Sequence, residues 1–220
     1  MVDISSVSGW FFGYDALFEF VFALITLAVS IYSFKIHRLS NQKESRTFGI
    51  AFLFISISYF IQSLLNAAIF FELNEEVINI IEFHQIITMN NFSIFVHMVL
   101  FTFGLITLIY MILGGKNRLM YLISLVIAFL FIFQSANKIS FFYVLSSLLL
   151  VFISTHYVTN YIEHKEKKSR IVMVAFIFLL IGHIQFIFIP HNTLYYILGH
   201  FLEFIAYILI LINLLMVIKK

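Results

Sequence analysis

The sequence predicts an all-α, polytopic membrane protein: a single domain of seven transmembrane helices spanning 1–220. Three observations predict it. Of 220 residues, 62% are hydrophobic and 11% charged, with a mean hydropathy of +1.05; soluble domains run near 45–50% apolar and about 25% charged. The apolar runs are roughly 20 residues long, enough to cross a bilayer as helices, and lack the alternation of a membrane barrel. The polar connections between them alternate in charge along the chain.

The first span, 11–34, opens on Trp10, Phe11, Phe12 and Tyr14, which suit an interfacial aromatic belt, and closes at Lys35 and Arg38. The second, 47–70, begins after Lys43 and Arg46 and ends before Glu72, Glu75, Glu76 and Glu82. The stretch from Asn74 to Asn90 carries Val77, Ile78, Ile81 and Ile86; it reads as an amphipathic surface helix or as an extension of the third span, 91–113. The fourth span, 118–134, is short and lies between Lys116 with Arg118 and Lys138. The fifth, 139–162, leads to Lys165, Lys167, Lys168 and Arg170; the sixth, 171–189, stops at Pro190; the seventh, 193–218, ends at Lys219 and Lys220. The positive-inside rule then places the N-terminus outside and the C-terminus in the cytoplasm of a multi-pass cell-membrane protein.

Two helix starts match without a gap. Lys43-Glu44-Ser45-Arg46 leads into Ala51-Phe52-Leu53-Phe54, and Lys167-Lys168-Ser169-Arg170 leads into Ala175-Phe176-Ile177-Phe178. Spans three and seven can likewise be aligned on His97 and His200. The expectation is a 3+1+3 parallel repeat, 11–113 and 139–218 joined by linker helix 118–134, a known membrane plan. Basic-Ser-Arg before an apolar run is also what any cytoplasmic helix start looks like.

Five ionisable residues interrupt the spans: Glu19, His97, His183, His200 and Glu203. Each costs about 2.5–3.5 kcal/mol in hydrocarbon on insertion scales, so such groups are paired, hydrated or used. At 1.5 Å of rise per residue the histidines lie roughly 9 Å from the outer ends of their spans, and the glutamates roughly 12–15 Å deep. Gln62 and Gln185 fall near the same layer. His200 and Glu203, spaced i, i+3, share a face, and Asp15 and Glu19, spaced i, i+4, form an acidic stripe. The layer reads as a shared ligand pocket. Its histidines, His97, His183 and His200, suit a transition metal; two histidines on opposing helices suit haem; a proton relay is a third use. Against these stands snorkelling toward a hydrated mouth.

Other classes are excluded or disfavoured. There are no cysteines, hence no disulfide, thiolate site or thiol nucleophile. The first eight residues lack a basic n-region, so no cleaved signal peptide is expected. No lysine sits inside the last span to carry retinal, and no glycine-rich loop is present to hold phosphate. The short basic loops match membrane anchoring, so no nucleic-acid partner is expected. With 8 glycines, one proline and 29 phenylalanines, close glycine packing is not expected to be a theme.

The segment Tyr32–Leu65 (YSFKIHRLSNQKESRTFGIAFLFISISYFIQSLL) and the last span Gly199–Leu215 (GHFLEFIAYILILINLL) resemble the seven-helix, MASE-type sensory regions that precede histidine kinases and cyclases. That resemblance implies sensing within the membrane. With no kinase or cyclase domain before Lys220, a signal is expected to pass to a separate cytoplasmic partner. In organisation the chain is also similar to SWEET sugar transporters, although the paired prolines of that family's hinge are missing. The expectation is a membrane sensor or ligand-binding protein, with a small-solute or ion transporter and a haem- or metal-dependent redox protein or hydrolase as alternatives. An enzyme is least favoured, since no nucleophile–base spacing stands out.

Overall fold

The computed structural model describes residues 12–73, 80–189, 192 and 194–218, without the side chains of 12–14, 70–73 and 80–85. Outside it fall Trp10, Phe11, Glu75, Glu76, Pro190, His191, Lys219 and Lys220, together with the side chains of Phe12, Tyr14, Glu72, Glu82 and His84. The described residues form seven helices: α1 (Phe12–Ser40), α2 (Lys43–Leu73), α3 (Ile80–Ile112), α4 (Arg118–Gln134), α5 (Lys138–His164), α6 (Lys167–Ile187) and α7 (Leu194–Ile218). All except α4 are long and apolar enough to cross a membrane. This is a helical membrane protein.

Local chemistry sets several helix ends. Asn41 adopts a left-handed φ of 56°, and its N–H returns to the His37 carbonyl, closing α1. Lys165 does the same for α5, with its N–H on Tyr161. Asn117 caps α4 by accepting from the N–H groups of Leu119 and Met120, and Asn137 caps α5 by accepting from Ser140. Residues 80–90 continue α3, so that part of the stretch before the third span extends it.

Six helices close a ring in the order α1, α2, α3, α5, α6, α7 and back to α1, while α4 packs outside against α3 and α5. The start of α5 lines the same cavity as the start of α3. Helix α4 therefore runs back along the bundle, and its 17 residues cover roughly 26 Å.

The faces of α1 show what surrounds this ring. Its inward positions include Glu19, Phe22, Ala23, Thr26, Ser30 and Ser33, all buried; its outward stripe is Leu17, Phe20, Leu24, Leu27 and Ile31, all exposed. An apolar outer face over a partly polar interior fits lipid as the solvent. Serine hydroxyls stitch the helices together: Ser30 donates to the Gly49 carbonyl at 2.8 Å, Ser56 to Ala23 at 2.9 Å, Ser63 to Ala16 at 2.8 Å and, on α5, Ser154 to Phe176 at 3.1 Å. Contrary to the expectation from composition, glycines also set close approaches. A Cβ on Gly104 would lie 2.6 Å from Ile55 Cγ1 and 2.9 Å from the Ala51 carbonyl oxygen. One on Gly182 would lie 3.1 Å from the Gly199 carbonyl oxygen, and one on Gly199 would overlap the Phe186 ring.

The buried faces of the two hairpins coincide in the ungapped register read from the sequence. Phe22, Ala23, Val29 and Ser30 of α1 fall on Ser146, Ser147, Ile153 and Ser154 of α5; Ala51, Phe52, Ile55 and Tyr59 of α2 fall on Ala175, Phe176, Leu179 and His183 of α6. All are buried. The third pair behaves differently. Aligning α3 and α7 on His97 and His200 sets buried Met98 against exposed Phe201. One residue out, Met98, Phe101, Leu105 and Leu108 fall on His200, Glu203, Tyr207 and Ile210, again all buried. By inward face, then, His97 and His200 are not equivalent positions.

Because a backbone oxygen blocks the added methyl, Gly104→Ala should destabilise the bundle by about 1–3 kcal/mol. Thermal unfolding in detergent measures it, and an unchanged Tm would contradict the close α2–α3 approach.

Candidate functional site

The end of the ring away from the Lys/Arg-rich connections holds a cavity of about 190 Å³. Glu19, His97, His183, His200 and Glu203 all line it, joined by Asp15, Tyr59, Gln62, Asn66, Tyr143 and Tyr196. Every helix of the ring contributes. Gln185, expected near this layer, is not among the lining residues. His37 and His164 sit in the last turns of α1 and α5, at the opposite end.

On α7, Tyr196, His200, Glu203 and Tyr207 recur at spacings of four, three and four, which puts them on one face. His200 sits between two carboxylates. Its Nε2 is 3.5 Å from Asp15 Oδ1 on α1, and its Nδ1 is 3.4 Å from Glu203 Oε2 on its own helix. Neither approach has hydrogen-bond geometry, so these four atoms have no hydrogen-bond partner among the described residues. Glu203 reaches α6 with its other oxygen, 3.3 Å from His183 Nδ1. The same nitrogen lies 3.1 Å from the Leu179 carbonyl. A carbonyl only accepts, so Nδ1 carries the hydrogen. Asp15, His200, Glu203 and His183 thus form an alternating carboxylate–imidazole chain across α1, α7 and α6.

Neutral donors hold the outer carboxylate oxygens. The Tyr196 hydroxyl donates to Asp15 Oδ2 at 2.6 Å, and Asn66 Nδ2 donates to Glu19 Oε2 at 2.8 Å. Below them, the hydroxyls of Tyr59 and Tyr207 meet at 3.1 Å, joining α2 to α7. The close passage of Gly182 against Gly199 brings α6 and α7 together beside this chain, with Glu203 Cγ 3.5 Å from where a Gly182 Cβ would stand.

His97 stands apart from the chain. Its ring packs against Tyr59, Phe101 and Phe142 at centroid distances of 5.0, 5.6 and 5.8 Å, and its Nδ1 has no hydrogen-bond partner among the described residues. Phe101 also stacks on His183 at 5.0 Å, so an aromatic ring contacts both imidazoles. Among the described residues, no group of three His, Cys, Asp or Glu side chains could hold a metal ion. The expected metal set of His97, His183 and His200 is therefore not assembled. The cavity is also smaller than the roughly 300 Å³ at which drug-sized pockets begin, which does not suit haem.

No protein-family model matches the chain, and neither curated proteins nor solved structures give a match. The site therefore has to be read from its own geometry.

The sequence layer omitted Asn66, Tyr59, Tyr196 and Tyr207. Two could have been found by extending the ionisable positions along a helical face: Tyr196 and Tyr207 flank the His200–Glu203 pair one turn either way. Asn66 lies seven residues after Tyr59, on the same face of α2.

Replacing Asn66 by Leu leaves the buried Glu19 oxygen without its donor, an expected loss of about 1–3 kcal/mol. Adding Glu19→Leu should recover part of that loss. Unfolding of both single variants and the double variant reads the coupling; strict additivity would refute the bond.

Proposed function

We propose that this protein is a membrane-embedded receptor that binds a small polar ligand in the His/Glu cavity and signals through a shift in helix packing. One observation carries the reading. Five ionisable residues, scattered along four apolar helices, line a single cavity in which His200 and Glu203 are buried with nitrogen and oxygen atoms left unpartnered. Groups so costly to place in lipid are by default functional, and unpartnered polar atoms around a cavity await hydrogen-bonding groups of a ligand or solvent.

Binding without passage is favoured over transport by the interior beyond the cavity. There, Val29, Phe52, Leu105, Leu108, Leu150, Ile153, Phe176 and Ile210 are buried and belong to one apolar cluster. A solute leaving toward the basic end would have to displace that cluster. The receptor reading also supplies a lever. Asp15–His200 crosses the α1–α7 seam, which with α3–α5 is one of the two narrower interfaces of the ring. A ligand that takes over one of these carboxylates loosens that seam, and a cytoplasmic partner reads the change through the Lys/Arg-rich loops.

In this reading all seven helices cross, the cavity lies in the outer half, and the two three-helix halves descend from a duplicated unit. The return path of α4, the basic character of one end and the shared register of the two hairpins support it.

The cysteine-free sequence provides a direct topology test. Ala136→Cys should react with a membrane-impermeant maleimide on intact cells. Gln42→Cys, Lys116→Cys and Glu166→Cys should react only after permeabilisation. Lys116 and Ala136 flank α4, so equal accessibility of these two would remove the fourth crossing. For the pocket, a library of small polar compounds is screened by thermal shift on wild type and Glu203→Gln. Compounds that stabilise only the wild type support the receptor; a library that stabilises both alike overturns it. Flux of such a compound into proteoliposomes would move the assignment to a transporter.

A further inference from the structure

We propose that the cavity ligand is a small organic cation carrying an ammonium group. This inference rests on the receptor reading and gives it a ligand class.

Charge is the first consideration. Among the described residues, Asp15, Glu19 and Glu203 line the cavity and no lysine or arginine does. Charge buried in low dielectric must be compensated. The resident candidates are protons on the carboxyls or on the imidazoles, and only His183 and His200 contact a carboxylate. Protons on His183 and His200 offset Asp15 and Glu203, whereas Glu19 has the neutral Asn66 as its recorded partner and is balanced either by its own proton or by a cation entering the cavity. Histidine His97 touches aromatic rings and no carboxylate among its recorded contacts.

Hydrogen-bonding valence is the second. Glu203, 2% exposed, makes no hydrogen bond through Oε2 among the described residues, nor does Asp15 through Oδ1; each faces a His200 nitrogen at ion-pair distance, 3.4 and 3.5 Å. These are carboxylate oxygens that accept, and both flank His200. The neutral donors nearby, Tyr196 and Asn66, are already engaged on other oxygens. A ligand that matches this wall brings several N–H donors on one centre, as an ammonium does, through charge-assisted bonds.

Much of the remaining wall is aromatic, alongside the amides Gln62, Asn66 and Asn90 and a few aliphatic side chains. Tyr59, Phe142, Tyr143, Phe186 and Tyr196 line the cavity beside the acids. Aromatic faces attract organic cations through the ring quadrupole and offer little to an inorganic ion, for which no three-ligand group exists among the described residues. An anion meets the opposite field. The cavity volume of about 190 Å³ suits a ligand of about the size of benzene or slightly larger, since a cavity of roughly 150 Å³ holds benzene.

The test is calorimetric titration of the full-length protein in detergent with four-heavy-atom probes of similar shape: propylammonium, 1-propanol and acetate, together with sodium chloride. Propylammonium should bind, and the others should bind at least about ten-fold more weakly. Losing a hydrogen bond to a charged group corresponds to roughly ten- to hundred-fold in affinity, so Glu203→Gln and Asp15→Asn should each weaken propylammonium by that factor. Thr155→Ala, an exposed change away from the cavity, should leave it unchanged. Equal binding of 1-propanol or acetate overturns the cation assignment and leaves the pocket standing. Equal binding of sodium assigns an inorganic ion instead. Propylammonium binding that survives both carboxylate variants places the cation elsewhere and overturns the inference. No propylammonium binding below about 10 mM also overturns it, and the library screen of wild type against Glu203→Gln then decides the receptor reading separately. The probe comparison needs no variant, so a poorly folded Glu203→Gln does not block the test.

Discussion

Lipid outside the bundle removes the usual reason for helices to associate. A leucine facing an acyl chain gains little by turning inward, so packing has to come from close contact and from polar bonds that hydrocarbon cannot supply. The structure is arranged around that constraint. Leu17, Leu24 and Ile31 face outward, while Ser30, Ser56 and Ser63 face inward and donate to carbonyls of the neighbouring helix. Gly104, Gly182 and Gly199 let backbones and rings approach where a methyl group would not fit. Large side chains then fill what remains, with Phe22, Phe52, Phe101, Phe176 and Tyr207 buried in one cluster.

The polar cavity follows from the same constraint at a different level. A carboxylate buried in the ring is tolerable only with partners on neighbouring helices, so each charged group also becomes a tie. Glu19 ties α1 to α2 through Asn66; Asp15 ties α1 to α7 through Tyr196; Glu203 faces His183 across α6 and α7. The site and the packing are therefore one network. A ligand entering it necessarily acts on helix contacts, which is the physical basis for reading the cavity as a receptor rather than an inert void.

Much of the fold was legible because it depends on spans and loops. The bounds 118–134 for the fourth helix coincide with α4, since Asn117 caps its start and polar residues follow its end. For residues 80–90 the sequence leaves two readings, a surface helix or an extension of the span 91–113, because Glu82, His84 and Gln85 mix with isoleucines; the extension is the one that forms. Serine ties and glycine contacts were missed because composition counts residues without their facing. Glycine is scarce in this chain, yet the few present at helix contacts matter. His97 and His200 were paired because both are histidines at similar depth, whereas a one-residue shift turns a helix by about 100° and separates their faces.

By itself, the sequence determined that this is a helical membrane protein, where its helices run and which five ionisable residues stand out. Those properties depend on local hydropathy and on loop charge, both of which are written along the chain. Only the tertiary structure decided that α4 lies outside a ring of six and that Asp15 on α1 meets Tyr196 and His200 on α7. It alone showed Phe101 packed against the imidazoles of both His97 and His183, so that the three histidines do not form a metal set. Those outcomes depend on the rotation of each helix about its axis. That rotation is fixed by contacts among α1, α2, α6 and α7, between residues far apart in the chain, which no single segment encodes.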